Sequence, residues 1–287
     1  MPATAAAARR RPGKSLHVIK FGGELLDEPR RRRQMARAVC AAAARQRVVV
    51  VHGGGREVDA ELARFGIPKR TVDGVRITDA ATLDVVLGVL AGRVNTRLVA
   101  AIGAAGGSAV GLTGVDAGLA TVSAARRYRA TDGTHVDLGF VGLPKRTGGR
   151  PELLLDLTQA GHVPVVASIG TDGRGRLFNV NADTLAADLA ARLGADRLTV
   201  AGTTPGVLDE TGATIPAVDD DRLERLIRDG QASAGMIAKL LACRAAGGGG
   251  VAEVRILDGR RSGALDDPGQ AEATRVTARR QRRRNGR

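Results

Sequence analysis

A chain of 287 residues with 43% hydrophobic content is long enough to bury a substantial core, as one large or two modest domains. Aromatic residues supply only 2% of it, with no Trp, one Tyr and four Phe, so the core must be built from Ala, Val, Leu and Ile, and an aromatic groove for single-stranded nucleic acid is not expected. The net charge of +14 sits at the ends: residues 1–14 carry four positive charges and residues 273–287 seven arginines, which leaves +3 between them and little of a nucleic-acid signature.

Cys40 and Cys243 lie far apart in Ala-rich helical contexts, without metal-ligand spacing, and read as buried free thiols of a reducing compartment. No apolar run approaches the length of a membrane span and there is no signal-peptide core, so the reading is a soluble, cytoplasmic protein without a membrane partner.

Residues 1–14 and 269–287 are expected to be disordered basic tails. The first strand, from Leu16 to Phe21, is apolar except for His17 and Lys20 and ends on Gly22-Gly23. A helix over Arg30–Arg45 follows, with Met35, Val39 and Ala42 at helical spacing. Val48-Val49-Val50-Val51 then has no polar alternation, which fits a strand buried on both faces of a parallel sheet. His52 and the glycines Gly53, Gly54 and Gly55 end it, and Val58, Leu62 and Phe65 continue as a helix. Glycines opening onto a helix N-terminus form an anion site in outline, or an ordinary strand-to-helix turn. In open α/β sheets ligands collect at the carboxyl ends of strands, so the second glycine loop and Lys20 would meet the first in one crevice. Neither loop is a G-x-x-x-x-G-K-[ST] or G-x-G-x-x-G motif.

Further on, Gly74 breaks the chain, Arg76 projects from an extended piece, and Thr78 or Asp79 can cap a helix starting at Ala80. Two helices, Ala81–Leu90 and Asn95–Ala105, are apolar on more than one side and belong in an interior or a subunit interface. Ala109–Thr113 is a strand, Thr121–Val141 alternates around Thr131-Asp132-Gly133 as a hairpin, Glu152–Ala160 is a helix and Val163–Ser168 a buried strand. His162 reads as a turn residue rather than a base. Asn179, Asn181 and Asp183 alternate, so an extended segment would put all three on one face before a helix over Thr184–Leu193. A cap needs one of them, and three point to a site. A strand over Arg197–Ala201, a turn at Thr203-Thr204-Pro205-Gly206 and a helix from Asp219 to Arg228 lead to Ser233-Ala234-Gly235-Met236, which opens a helix carrying Lys239. A lysine so near a helix N-terminus is disfavoured unless an anion sits between them. Gly247–Gly250 reads as a joint before a strand at Val251–Leu257.

Lys20-Phe21-Gly22-Gly23, His52-Gly53-Gly54-Gly55, Gly74-Val75-Arg76-Ile77-Thr78-Asp79, Asn179-Val180-Asn181-Ala182-Asp183 and Gly235-Met236-Ile237-Ala238-Lys239 occur in the order seen in the amino acid kinase family, which the chain resembles from about Leu16 to Arg260. The third motif is similar to the branch that acts on N-acetyl-L-glutamate. The resemblance implies an αβα sandwich on a mainly parallel central sheet, with two lobes: residues 15–192 for the acyl-amino acid and phosphoryl transfer, residues 193–268 for ATP. It implies transfer of the γ-phosphoryl group of ATP to the side-chain carboxylate of N-acetyl-L-glutamate, in arginine biosynthesis. The implied catalytic residues are Lys20, Lys239, Asp183, Gly23 and Gly54. Gly53, Gly54, Gly55, Arg76, Asn179 and Asn181 would hold the substrate. The nucleotide would meet Lys20, Gly22, Gly23, Thr203, Thr204, Gly206, Val207, Gly235, Met236 and Lys239. No protein side chain is assigned as a metal ligand, since Mg²⁺ would arrive with ATP.

The chain departs from the family pattern at Thr203-Thr204, where an Asp or Asn is usual, and at Ala234, where Gly is frequent. The acidic-aromatic ending of arginine-regulated members is missing, so a homodimer insensitive to arginine is expected. Two alternatives remain at this point: a kinase for glutamate or α-aminoadipate carried on a small acidic protein, which the basic tails would suit, and a catalytically silent regulatory member.

Overall fold

The computed structural model describes residues 14–130, 133–145, 148–261, 263–265 and 272–278. The chain enters on β1 (Leu16–Phe21), returns through α1 (Pro29–Arg45) and re-enters on β2 (Arg47–His52), parallel to β1 in the register Lys20 to Val51 and Phe21 to His52. Pro29 starts α1 where its missing N–H is no loss. The helix lays Met35, Val39 and Ala42 on the sheet, and each fully buried Met or Val contributes about 1.5–3 kcal/mol.

Next come α2 (Gly55–Arg64) and a hairpin of β3 (Thr71–Val72) and β4 (Val75–Arg76). Asp79 caps α3 (Ala80–Leu87) by accepting from the Thr82 N–H at 2.9 Å. A π-helical segment, Gly88–Val94, joins α3 without a break to α4 (Asn95–Ala104), and β5 (Ala109–Thr113) follows.

The two apolar helices read from the sequence are therefore one helix over Ala80–Ala104, long and apolar enough by length and composition to cross a membrane. This corrects the expectation that no segment approaches that length: residues 91–94, between the two expected helices, belong to the π turn. The helix lies against the rest of the protein, with Leu83, Val86, Leu90, Val94, Leu98 and Ile102 buried. Val94 and Asn95, where the π segment passes into α4, both lie on this buried side.

The middle of the chain forms β6 (Val122–Ala124), β7 (Tyr128–Arg129), β8 (His135–Val136) and β9 (Val141–Pro144). The expected antiparallel pairing appears as β7 with β8 and β6 with β9, although Thr131 and Asp132 of its turn lie outside the described residues. After α5 (Glu152–Gln159) come β10 (Val163–Ala167), β11 (Ile169–Thr171) and β12 (Leu177–Val180), then α6 (Ala182–Arg192) and β13 (Arg197–Gly202). The last elements are β14 (Ala217–Val218), α7 (Asp220–Arg228), α8 (Ala234–Gly248), β15 (Glu253–Asp258) and β16 (Ala273–Val276).

One eight-stranded sheet, in the order β14-β16-β15-β13-β1-β2-β10-β5, runs through the molecule, and β15 with β16 is its antiparallel pair. Apolar cores lie on both faces, one around Leu185, Leu198 and Leu240, the other around Phe21, Met35 and Leu98. That is the expected αβα sandwich on a mainly parallel sheet. A second sheet, β11-β12-β9-β6, caps the carboxyl end of β10.

Two expectations need correction. Residues 273–276 are not part of a tail: Thr274 is fully buried and β16 is hydrogen-bonded between β14 and β15. The run of arginines around it hid a four-residue strand whose Thr274 and Val276 point inward. Gly247 and Gly248 belong to the last turn of α8 rather than to a joint. Lys14 is also tied to the fold, its Nζ donating to Ala44 O at 3.0 Å, while residues 1–13 and 279–287 lie outside the described residues. The second of the two cysteines is buried as expected, and Cys40 is half-buried.

Candidate active site

The two glycine loops meet at the carboxyl ends of β1 and β2. A Cβ on Gly23 would stand 3.0 Å from the Gly54 Cα and 3.1 Å from the Gly55 nitrogen, so the two backbones touch only because Gly23 has no side chain. Gly54 is the N-cap of α2 and offers no side-chain cap. The first N–H groups of a helix have no intrahelical acceptor, and here they open beside the other loop, which makes the junction a place for an anion.

Lys20 projects between these loops although only 7% of it is exposed. Its Nζ lies 2.8 Å from Asp183 Oδ1, a contact that is ionic rather than well directed as a hydrogen bond. Asp183 comes from the first turn of α6, where a carboxylate also suits the helix dipole. The expected alternation of Asn179, Asn181 and Asp183 is split by structure: Asn179 lies in β12, Asn181 caps α6 by accepting from the Thr184 N–H at 3.0 Å, and Asp183 is helical. The helix starts two residues earlier than the sequence reading placed it, yet all three residues line one cleft.

Arg76, at the end of β4, is held by an ion pair to Asp59 and a 3.4 Å bond to Gly55 O. Its Nη1 is buried and has no partner, and the residue lines the cleft. A guanidinium with a spare buried donor calls for an acceptor, and a carboxylate satisfies it best. Two residues on, Thr78 is fully buried and its Oγ1 receives the Asn179 amide at 3.2 Å. Gly139, at φ 69°, closes on this strand so tightly that a Cβ would lie 2.4 Å from Thr78 O. The Gly74 to Asp79 segment thus supplies a cleft cation, a support for Asn179 and the cap of α3.

Lys239 approaches from α8, in its second turn, with Ser233 capping the helix by accepting from the Met236 N–H at 3.3 Å. A Cβ on Gly202, the last residue of β13, would lie 3.3 Å from Lys239 Nζ and 3.4 Å from Glu24 Oε1, so the ammonium and the Glu24 carboxylate converge there. Burial lowers the Lys239 pKa from the ordinary lysine value, and Lys20 lowers it further, while Asp183 and Glu24 oppose them. The tip of the β3–β4 hairpin bends toward the same helix, where a Cβ on Gly74 would come within 3.8 Å of the Gly235 nitrogen.

The cleft has a volume of about 220 Å³ and is lined by Lys20, Gly22, Gly23, Gly53, Gly54, Gly55, Arg76, Asn179, Asn181 and Asp183 of the expected set. It is below the roughly 300–1,000 Å³ usual for ligand pockets, so it suits a small acidic molecule. Thr203, Thr204, Gly206, Val207, Gly235, Met236 and Lys239 do not line it. Gly206 and Val207 face β16, with Val207 2% exposed and its N–H donated to Thr274 Oγ1 at 2.8 Å. Thr203 O accepts from Arg260 at 2.7 Å. Sequence reasoning passed over Glu24 and Ser168, which also line the cleft. Each follows a strand at its carboxyl end, the rule that had selected Lys20 and the glycines. A larger groove of about 830 Å³ along α6, α7 and α8 carries Asp188 and Asp220, paired with Arg192 and Arg244.

Residues 15–258 match the amino acid kinase family. An acetylglutamate kinase of Gluconacetobacter diazotrophicus is 40% identical over 88% of this chain and 81% of its own. One from Methanopyrus kandleri is 43% identical over 80% of this chain and 90% of its own. Among solved structures, N-acetylglutamate synthase from Neisseria gonorrhoeae, complexed with coenzyme A and N-acetyl-glutamate, superposes with a TM-score of 0.77 over 92% of this chain, at 23% identity. This chain spans 59% of that synthase, and the likeness is one of fold.

Proposed function

The chain belongs to the amino acid kinase family, and from that premise we infer that it transfers the γ-phosphoryl group of ATP to the side-chain carboxylate of N-acetyl-L-glutamate, a step of arginine biosynthesis. A carboxylate oxygen forms the new bond to phosphorus, the bond from phosphorus to the β,γ-bridging oxygen breaks, and that oxygen leaves with the electron pair on ADP. The acceptor is already ionised at neutral pH, so no general base is required, in keeping with a cleft that no histidine lines. The work lies in holding two anions together.

The observation that carries the reading is the buried, unpartnered Nη1 of Arg76 in a cleft floored by the Lys20–Asp183 pair. Arg76 and Asn179 hold the α-carboxylate and acyl-amino group of the substrate. Gly53, Gly54 and Gly55, with Gly22 and Gly23, turn N–H donors to the phosphoryl oxygens. Lys20 neutralises the moving phosphoryl group, Lys239 the leaving β-phosphate, and Asp183 orients both lysines. The nucleotide lies over the N-terminus of α8 at Gly235 and Met236, near Thr203 and Thr204, while Gly206 and Val207 shape that turn. In this reading residues 15–192 form the acyl-amino acid lobe and residues 193–268 the ATP lobe.

Mg²⁺ accompanies the triphosphate and reduces its charge. Among the described residues no cluster of three His, Cys, Asp or Glu could hold a metal alone. Glu24 and Asp183 are the cleft carboxylates that suit an ion already carried by phosphates.

Measuring ADP release with a panel of free N-acyl glutamates and aminoadipates, and with carrier-linked glutamate, tests the reading. Turnover of free N-acetyl-L-glutamate is expected, little changed by deleting residues 1–13 and 279–287, since long-range attraction to their charge is screened at physiological salt. Turnover with the carrier-linked amino acid alone, lost on deleting the tails, would replace the substrate while keeping the chemistry. In the same assay Arg76→Ala is expected to raise KM for the acyl-amino acid by about tenfold to a hundredfold, and KM for ATP far less. Equal effects on both would remove Arg76 from the substrate.

The protein works as a cytoplasmic homodimer through the outward side of the α3–α4 helix, where Gly88, Gly92, Thr96 and Ala100 are exposed. Sedimentation of wild type and Gly92→Arg tests this: both at the same mass would move the interface elsewhere.

A further inference from the structure

His52 ends β2 beside the glycine loop, fully buried and outside every role assigned above. Its Nδ1 lies 2.9 Å from Gly53 O, and its Nε2 lies 3.1 Å from Asn95 Nδ2. The same Asn95 nitrogen donates to Val165 O at 2.8 Å and to Leu112 O at 3.3 Å. Carbonyl oxygens only accept, so two of them fix the amide nitrogen of Asn95 on this side, and Gly53 O demands a proton on His52 Nδ1. The other ring nitrogen is then a bare acceptor facing the Asn95 amide, whose two protons are shared among Val165 O, Leu112 O and this nitrogen. Burial pushes the His52 pKa down to about 4, so the ring is neutral under working conditions and keeps this one tautomer. Asn95 reaches the ring from the buried side of α4, the side that also carries Leu98 and Ile102.

The consequence falls on the next peptide. Gly53 C=O and Gly54 N–H belong to one planar trans unit, in which the two bonds point in opposite directions. A peptide between two glycines rotates easily, since neither has a Cβ to oppose it. Pinning the oxygen on His52 therefore fixes the N–H on the other side, at a residue that lines the cleft.

We propose that His52, held by Asn95, is a positioning residue for phosphoryl transfer: its Nδ1–H anchors the Gly53 carbonyl and thereby aims the Gly54 N–H at the transferring phosphoryl group. This rests on the kinase reading above. A donor aimed before the reaction starts lowers the barrier without a cost of reorganisation, and losing one such donor in other enzymes costs about a hundredfold or more in kcat. Misaiming it costs less.

Two measurements test the proposal. Nitrogen-15 shifts of the His52 ring in the wild-type protein should report a neutral ring protonated on Nδ1 between about pH 6 and 8. A ring protonated on Nε2, or one that titrates in that range, would overturn the proposal, and this result does not depend on which substrate the chain phosphorylates. In kinetics, His52→Leu should lower kcat about tenfold or more with both KM values within about threefold, while His52→Asn, whose amide can replace the Nδ1–H donor, should recover most of it. Thermal unfolding of each variant separates this from loss of folded protein. If His52→Asn is no better than His52→Leu at equal folded fraction, His52 serves packing and the proposal fails. If wild type turns over no acyl-amino acid while the Nδ1 tautomer is found, the kinase reading fails and the peptide anchor stands.

Discussion

Lys239→Ala is expected to lower kcat by roughly a hundredfold or more while KM for each substrate stays within a few-fold, because the ammonium acts on charge that develops only as ADP departs. Its placement gives the reason. Lys239 enters from α8 with its ammonium beside Gly202 and Glu24, and it is close enough to Lys20 that Lys20 lowers its pKa. Burial, the larger cause, acts in the same direction, and such a site is an unfavourable place for a cation in the free protein. Removing the charge should leave the folded protein no less stable, since it relieves both burial and repulsion. Calorimetry and steady-state kinetics on the same preparation check the pair of expectations. A variant with near-normal kcat takes Lys239 out of the reaction, and one that loses activity only in proportion to its folded fraction makes it a structural residue.

The parallel sheet was legible because its central strands are unbroken runs such as Val48–Val51, and because Gly22-Gly23 and Gly53 to Gly55 mark the strand ends where ligands gather. Lys20 could be selected by its place at a strand's carboxyl end beside the glycines, Asp183 by its alternation with Asn179 and Asn181, and Arg76 by its place in the Gly74 to Asp79 motif. What stayed hidden depends on tertiary contacts. β16 is four residues long and lies next to a run of arginines, so neither length nor pattern announces it; only pairing with β14 and β15 makes Ala273–Val276 a strand. The expected helices Ala81–Leu90 and Asn95–Ala105 are one, joined by a π turn packed on the core. Asn95 meets His52 across 43 residues of chain, a contact no local pattern announces, and His52 read only as the residue before three glycines. Local pattern found most of the polar groups that face the cleft, passing over Glu24 and Ser168, and missed His52 and Asn95 behind them.

The second large effect concerns Asp183, whose carboxylate lies against Lys20 with the two side chains only 10% and 9% exposed. Asp183→Asn leaves Lys20 buried without its counter-charge and removes one of the two carboxylates that raise the Lys239 pKa. Breaking a buried pair from one side costs about 3–5 kcal/mol, so a marked fall in Tm is expected. With the orientation of both lysines lost, kcat should drop by about a hundredfold or more. The pH profile carries the more specific signature. Lys239 must be protonated to receive charge from the leaving group, so kcat/KM for ATP should fall as pH rises through its pKa, which lies below the ordinary lysine value. Without Asp183 that pKa is lower still, and the alkaline fall should begin at lower pH in Asp183→Asn than in wild type. The double variant Lys20→Met with Asp183→Leu separates stability from chemistry: a matched apolar pair should recover most of the lost Tm and none of the lost kcat. Recovery of activity in the double variant would take both Lys20 and Asp183 out of the reaction, and an alkaline limb that does not move in Asp183→Asn would mean that Lys239 acts independently of Asp183.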